Sequence, residues 1–141
     1  MKKFVHLLIV CLTLITPALA TVDDAISAAM EAADPYVKQG FTVREDQWGG
    51  DLGVGEKKAF QHTLFKGNDY WFFMATDTLK AKVNVHIYNG EGKLADQEGW
   101  QKGSYAGIRF RPPSTGSYYL IVEVEKSPEE RTHWALVYAY K

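Results

Sequence analysis

The chain has 141 residues with 16 basic and 17 acidic side chains, and this near balance argues against a nucleic-acid partner or an anionic lipid surface. Its one cysteine, Cys11, lies in an apolar run that we expect to be removed. The remaining chain then has neither disulfides nor thiol chemistry. A chain of this length can bury a core as a single domain.

The first 20 residues predict a signal peptide. Lys2 and Lys3 precede an apolar run over residues 4–15, and Ala18 and Ala20 are the small residues that a signal peptidase reads. The run is shorter than the roughly 20 residues of a membrane-spanning helix. We therefore expect a secreted or periplasmic chain that begins at Thr21 and does not insert into the membrane.

An alanine-rich segment predicts an N-terminal helix within residues 21–40. Thr21 or Asp23 would cap its start, and Pro35 would end or bend it. We expect the helix to lie over the domain that follows, with partner binding as the alternative. Its apolar residues at helical spacing are Ile26, Met30 and Ala33.

Residues 41–141 predict one mainly β domain, because the helical period gives way to short alternating segments between turns. The clearest alternation is Lys82–Tyr88, in which every second residue is aliphatic. About eight short strands after one helix predict an antiparallel β-sandwich or jelly roll. The segments are 41–48, 58–65, 70–76, 82–88, 93–98, 106–111, 118–124 and 132–140.

Two local predictions concern how these segments are connected and where their rings point. The segments 58–65 and 70–76 flank a tight turn and are predicted to form a hairpin. Neighbouring strand residues point to opposite faces, so the aromatic run 70–73 cannot lie on one side of its sheet. Some of its rings must lie under the helix or at a partner surface.

A recognition surface is predicted from tryptophans assigned to loops, Trp48 and Trp100, and from nearby tyrosines and arginines. Exposed aromatic residues beside arginines are typical of protein or sugar binding. The alternative is that the helix and the loops cover them. The candidate binding residues are Trp48, Tyr88, Trp100, Tyr105, Arg109 and Arg111.

Short motifs follow one another between Gly55 and Tyr140: Gly55-Glu56, Gly67-Asn68-Asp69-Tyr70, the strand and acidic glycine turn at 83–92, Thr115-Gly116-Ser117-Tyr118-Tyr119-Leu120-Ile121-Val122, and the closing strand from Trp134. Together they resemble the bacterial pre-peptidase C-terminal domain, a small β-sandwich appended to many secreted proteases. No protease domain precedes the motifs, so the resemblance implies a stand-alone copy. Some family members bind calcium, and the resemblance alone makes calcium a candidate ion, because the acids of this sequence are scattered.

The sequence predicts no enzyme and no metal site. His62, His86 and His133 lack the spacing of zinc ligands, and no Gly-x-Ser-x-Gly motif occurs. We expect a secreted, non-enzymatic module that binds an extracellular or periplasmic protein or glycan. The alternative is a small hydrolase or metal-dependent protein whose site is assembled only in the fold. Clustering of His62 and His86 with acids in a cleft would favour that alternative.

Overall fold

The computed structural model describes residues 21–141, and the predicted signal peptide lies outside the described residues. One helix, α1 (Val22–Val37), precedes eight strands. The predicted fold class is confirmed, since the structure is mainly β with two antiparallel sheets and one helix near the N-terminus. The strands are β1 (Thr42–Leu52), β2 (Lys57–Leu64), β3 (Tyr70–Ala75), β4 (Lys82–Tyr88), β5 (Glu98–Lys102), β6 (Tyr105–Phe110), β7 (Gly116–Lys126) and β8 (Thr132–Tyr140).

The strands form a five-stranded sheet in the order β1-β8-β3-β6-β5 and a three-stranded sheet in the order β2-β7-β4. The main core lies between the sheets. On β7 the buried residues alternate with partly exposed ones, because only one face of the three-stranded sheet faces this core. The buried residues of β7 are Tyr118, Leu120, Val122 and Val124, the set that shares a face in the sequence pattern.

The predicted hairpin of β2 and β3 is wrong. β2 pairs with β7, whereas β3 lies between β6 and β8 in the other sheet. The reason is that all six residues of β3 are buried, which requires a central strand with both edges paired and both faces covered. Tyr70 and Phe72 face the sandwich core, and Trp71 and Phe73 face the helix.

Helix α1 packs on the outer face of the five-stranded sheet and begins with a capping box between Thr21 and Asp24. The predicted stripe is wrong in part, because Met30 is 42% exposed and Ile26 is only partly buried. The sheet supplies the large rings to this interface, so the helix supplies small side chains that allow close approach. Its buried residues are Ala25, Ala28, Ala29 and Ala33. Within residues 21–141 no helix is long and apolar enough to span a membrane.

Pro35 does not stop α1, which continues to Val37. A proline removes one backbone donor from a helix, but here the loss falls in the final turn. The Lys38 N–H still donates to the Asp34 carbonyl at 3.3 Å. Gly40, three residues after the end of the helix, has a φ of 99°. A positive φ is the conformation for which glycine is favoured at helix ends.

The loop assignment of Trp100 is also wrong, since it lies on β5, and Trp48, the last residue of the predicted segment 41–48, lies inside β1 and not in a loop. Gly49 and Gly50, which follow the predicted segment 41–48, continue β1 beside β8. A Cβ at Gly49 would lie 2.6 Å from Val22 Cγ1. The glycine therefore allows the helix to approach the strand closely, and it does not form a bend. Of the predicted segment 93–98, only Glu98 belongs to a strand, and Leu94 forms an isolated bridge.

Candidate ligand-binding cleft

An open cleft lies where the free edges of the two sheets meet. β1 ends the five-stranded sheet and β2 ends the three-stranded sheet. Trp48 of β1 contacts Phe60 and His62 of β2 at ring-centroid distances of 5.7 and 5.5 Å. The β1–β2 cleft has a volume of about 580 Å³. Its lining residues are Arg44, Asp46, Gln61, His62, Thr63, Phe65, Asn68, Tyr70, Tyr138 and Tyr140.

A bulge in β1 brings two charged side chains to this cleft. Between Val43 and Gln47, four residue steps on β1 face two steps on β8, from Ala139 to Val137. Such an irregularity bends a strand and redirects its side chains. The bulge holds Arg44 and Asp46, which are exposed and line the cleft.

A histidine and a tyrosine form the less exposed wall of the cleft. His62 Nε2 lies 3.2 Å from the Tyr138 hydroxyl. Burial lowers the pKa of His62, Asp46 opposes this change, and Arg44 adds to it. Burial also raises the pKa of Tyr138. Because desolvation disfavours the charged form of each group, both are neutral at neutral pH and offer hydrogen bonds without charge.

Arg44 is the cation of the cleft. Its guanidinium carbon lies 5.6 Å from the centre of the Tyr140 ring, which is within the range of a cation–π contact. The pKa of Arg44 is raised, first by the Tyr140 hydroxyl and then by the Tyr138 hydroxyl. A permanently charged group therefore lies beside the Tyr140 ring at the mouth of the cleft.

The Tyr70 hydroxyl has a proton that is free to be donated. Its oxygen accepts hydrogen bonds from the Phe65 N–H and from Asn68 Nδ2, each at 3.0 Å. A phenol also donates one hydrogen bond, and no residue of the described range 21–141 accepts this one. Tyr70 is only 4% exposed as a residue but lines the cleft, so a group in the cleft can accept this hydrogen bond.

The rim of the cleft carries an exposed aromatic ring. Phe65 follows β2 directly and is 53% exposed, which is unusual for a phenylalanine. Gln61, Thr63 and Asn68 line the same cleft and give the rim amide and hydroxyl groups. An apolar ring among a few hydrogen-bonding side chains is a common lining of a ligand site.

A second cleft, of about 330 Å³, lies at the other lateral opening of the sandwich, between β4 and the β5–β6 pair. There His86 Nδ1 lies 2.6 Å from Asp96 Oδ2, and Asp96 Oδ1 accepts the Ile87 N–H at 2.7 Å. A carboxylate can orient a histidine that acts as a general base. The described residues that line this cleft nevertheless include no serine, threonine or cysteine as a nucleophile.

The two histidines lie in separate clefts. His62 is on β2 and His86 is on β4, with β7 between these strands. Asp46 lies near His62, and Asp96 pairs with His86 in a cleft that Glu98 and Glu125 also line. In the part of the chain that the structure describes, no group of three or more His, Cys, Asp or Glu side chains could hold a metal ion.

The six candidate binding residues from the sequence do not form one surface. Trp48 packs between β1 and β2 beside the cleft. Tyr88 alternates with the buried Ile87 and thus lies on the outer face of the three-stranded sheet. The remaining four lie together on the outer face of the five-stranded sheet: Trp100, Tyr105, Arg109 and Arg111.

On that outer face several side chains already have partners within the protein. Trp100 Nε1 donates to the Tyr36 hydroxyl of α1 at 3.1 Å. Arg109 donates to both carboxylate oxygens of Asp69, at 3.0 and 2.6 Å. Arg111 donates to the same carboxylate at 3.2 Å. These contacts leave less hydrogen-bonding capacity for a partner here than in the β1–β2 cleft.

None of the lining residues of the β1–β2 cleft was among the six candidate binding residues, because they come from β1, β2, β3, β8 and the turn after β2 and meet only in the folded sheets. One signal was present in the sequence. Arg44-Glu45-Asp46 places three charges in succession inside a predicted strand, which breaks the expected alternation, as a bulge does.

Comparison with protein-family models and with curated proteins gives no match for this chain. The resemblance to the pre-peptidase C-terminal domain therefore stays a prediction. The chemistry of the clefts is the remaining basis for assigning a function.

Proposed function

We propose that the protein is an exported, non-enzymatic β-sandwich module that binds a protein or glycan partner outside the cytoplasm through the β1–β2 cleft. The observation that carries the proposal is the mixed lining of that cleft. Arg44 supplies a positioned charge, Tyr70 a buried donor and Phe65 an exposed ring in one open volume. A few placed polar groups around an apolar surface are what a ligand site requires.

Export is supported by the signal-peptide pattern of residues 1–20. In this pattern Lys2 and Lys3 precede the apolar run, and Ala20 is the last residue before the predicted cleavage site. The motifs shared with the pre-peptidase C-terminal domain are consistent with this location, since that family accompanies secreted proteases.

The chemistry of the cleft favours binding over catalysis. His62 Nε2 faces the Tyr138 hydroxyl, and the raised pKa of that phenol keeps it neutral. A neutral phenol is a poor nucleophile, because catalysis needs a nucleophile activated by a base or by a lowered pKa. Among the described residues that line the cleft there is no serine or cysteine, and His62 pairs with Tyr138 and not with Thr63, the one threonine.

Co-sedimentation of the purified protein with envelope and extracellular-polymer fractions of the producing cells tests the proposal. We expect Arg44→Ala to reduce the bound fraction strongly, because it removes the charge at the mouth of the cleft. Arg111→Ala is the matched control, since Arg111 is another exposed arginine but lies on the outer face of the five-stranded sheet.

Two outcomes would contradict the proposal. If Arg111→Ala reduces binding and Arg44→Ala does not, the outer face with Trp100 and Arg109 is the recognition surface. If the unmodified protein binds none of the fractions, the protein is not a module for such partners.

A further inference from the structure

We propose that the ligand of the β1–β2 cleft is an acidic glycan, an oligosaccharide whose sugars carry carboxylate groups. This inference rests on the proposed function, because it names the ligand class of the same cleft. Arg44 takes the carboxylate, the Tyr70 hydroxyl donates to the sugar, and Phe65 packs against the apolar side of a sugar ring.

Arg44 differs from the other arginines in having no carboxylate partner. The chain has four arginines. Arg109 and Arg111 share Asp69 at 2.6 and 3.2 Å, and Arg131 lies 2.9 Å from a glutamate carboxylate. Within residues 21–141 no carboxylate oxygen lies within 4.0 Å of the Arg44 guanidinium. A carboxylate of the ligand would give Arg44 the kind of partner that the other three arginines have within the protein.

The guanidinium of Arg44 is also positioned before the ligand arrives. The Tyr140 ring lies 5.6 Å from its central carbon, and the hydroxyls of Tyr140 and Tyr138 raise its pKa. A guanidinium has five N–H donors in a rigid fork, so it can contact tyrosine oxygens and still hold a carboxylate with two hydrogen bonds. Holding the side chain in advance lowers the entropy cost of binding.

Tyr70 and Asp46 indicate a ligand that both donates and accepts hydrogen bonds. The Tyr70 proton is available to an acceptor in the cleft, because Tyr70 lines the cleft and both of the Tyr70 bonds shown by the structure are accepted ones. Asp46, which also lines the cleft, needs donors. A sugar hydroxyl can satisfy either group, whereas the carboxylate side chain of an acidic peptide offers acceptors alone.

Phe65 offers an apolar surface against which a sugar ring can pack. It is 53% exposed at the rim, beside the amide of Asn68 and the hydroxyl of Thr63. An exposed aromatic face offers a large rigid apolar contact at low entropy cost. The CH groups on one side of a pyranose ring fit such a face, while the hydroxyls at its edge reach the polar rim.

Calorimetric titration of the folded protein with defined oligosaccharides tests the inference. The probes are oligomers of galacturonate, glucuronate and mannuronate, the methyl esters of the same oligomers, and a tetraglutamate peptide. We expect at least one uronate oligomer to bind, and its methyl ester to bind about tenfold more weakly, since esterification removes the charge that Arg44 takes.

Variants locate the binding in the cleft. Arg44→Gln should weaken uronate binding about tenfold, and Tyr70→Phe, which removes only the donor, about threefold. Arg111→Gln is the matched control and should leave the affinity unchanged. Thermal melts of each variant show whether it is folded before titration.

Three results would overturn the inference. Equal binding of the methyl esters would mean a neutral glycan, and tighter, Arg44-dependent binding of tetraglutamate would mean a peptide partner. Absence of binding by every uronate oligomer would exclude the ligand class. In each case the co-sedimentation assay with Arg44→Ala still decides separately whether the cleft is a binding site.

Discussion

Gly107 shows how one missing side chain positions an aromatic ring on this molecule. A Cβ at this position of β6 would lie 2.6 Å from Trp100 Cε2 and 2.7 Å from Trp100 Nε1. The indole therefore lies against the backbone of β6, and its N–H reaches the Tyr36 hydroxyl of the helix at 3.1 Å. Trp100 thus joins the edge strand β5 to α1, which is a structural role for a residue that the sequence placed in a recognition loop.

Replacing Gly107 with alanine tests this contact. The added methyl group must displace the indole or shift β6, so we expect a loss of about 1–3 kcal/mol in the free energy of unfolding. Gly116→Ala is the control, because no heavy atom lies within 4 Å of a Cβ there and its φ is not positive. Urea denaturation at pH 7 measures both. Equal losses in the two variants would mean that the ring is not held against β6.

At the level of elements, the contact between α1 and the five-stranded sheet combines small helix residues with large sheet residues. Ala29 and Ala33 are fully buried, as are Phe73 and Val137 opposite them. The sequence pattern assigned the buried face to Ile26, Met30 and Ala33 from their helical spacing, and of these only Ala33 is fully buried. Here Trp71 and Phe73 of β3 fill the space, and alanine leaves enough room for their rings.

Ala29→Leu therefore tests overpacking at this interface. Three additional carbons have no space beside the β3 rings, and we expect a loss of about 1–3 kcal/mol in the free energy of unfolding. Ser27→Leu, at an exposed position of the same helix, controls for the change in helix propensity and should cost less than about 1 kcal/mol. A loss at Ala29 no larger than that at Ser27 would show that α1 is not tightly packed on the sheet.

The elements themselves were largely predictable from the sequence, whereas their pairing was not. The alternation over Lys82–Tyr88 reflects which face of that strand is buried, and the turn before Tyr118 follows from its own residues. Both are local properties of the sequence. The partner of β2 is a long-range property, because it depends on β3 needing two neighbours to cover its edges. The turn after Leu64 is compatible with a hairpin and equally with a crossing between sheets.

At the scale of the whole molecule, the same limit applies to the candidate site. The β1–β2 cleft requires the bulge around Arg44, the edge position of His62 and the register that places Tyr138 opposite them. No local pattern encodes the meeting of strands from the two ends of the domain. What the sequence could indicate was the unusual charge run at residues 44–46 and a histidine on an otherwise ordinary strand.

Asp69 connects several distant parts of the fold at the crossing between the sheets. Its backbone N–H and C=O bond the C=O and N–H of Lys141, both at 3.0 Å. Its carboxylate receives two hydrogen bonds from Arg109 and one from Arg111. Hydrogen bonding from Arg109 is the largest cause of the lowered pKa of Asp69, whose carboxylate side chain is 15% exposed.

This carboxylate should contribute stability that depends on pH. A group whose pKa is lower in the folded protein stabilises it fully above its ordinary value, here 3.8, and the contribution is lost as the pH falls through the folded-state pKa. At pH 7 we expect Asp69→Asn to cost about 1–3 kcal/mol, the range for hydrogen bonds to a charged group. Asp77→Asn, at an exposed loop position, is the control. Urea denaturation of both variants and the unmodified protein should show the Asp69→Asn deficit shrinking as the pH falls below 3.8, because the carboxyl of the unmodified protein then becomes neutral as well. A deficit that is equally large at both ends of the pH range would mean that the charge of Asp69 is not what ties β6 to the end of the chain.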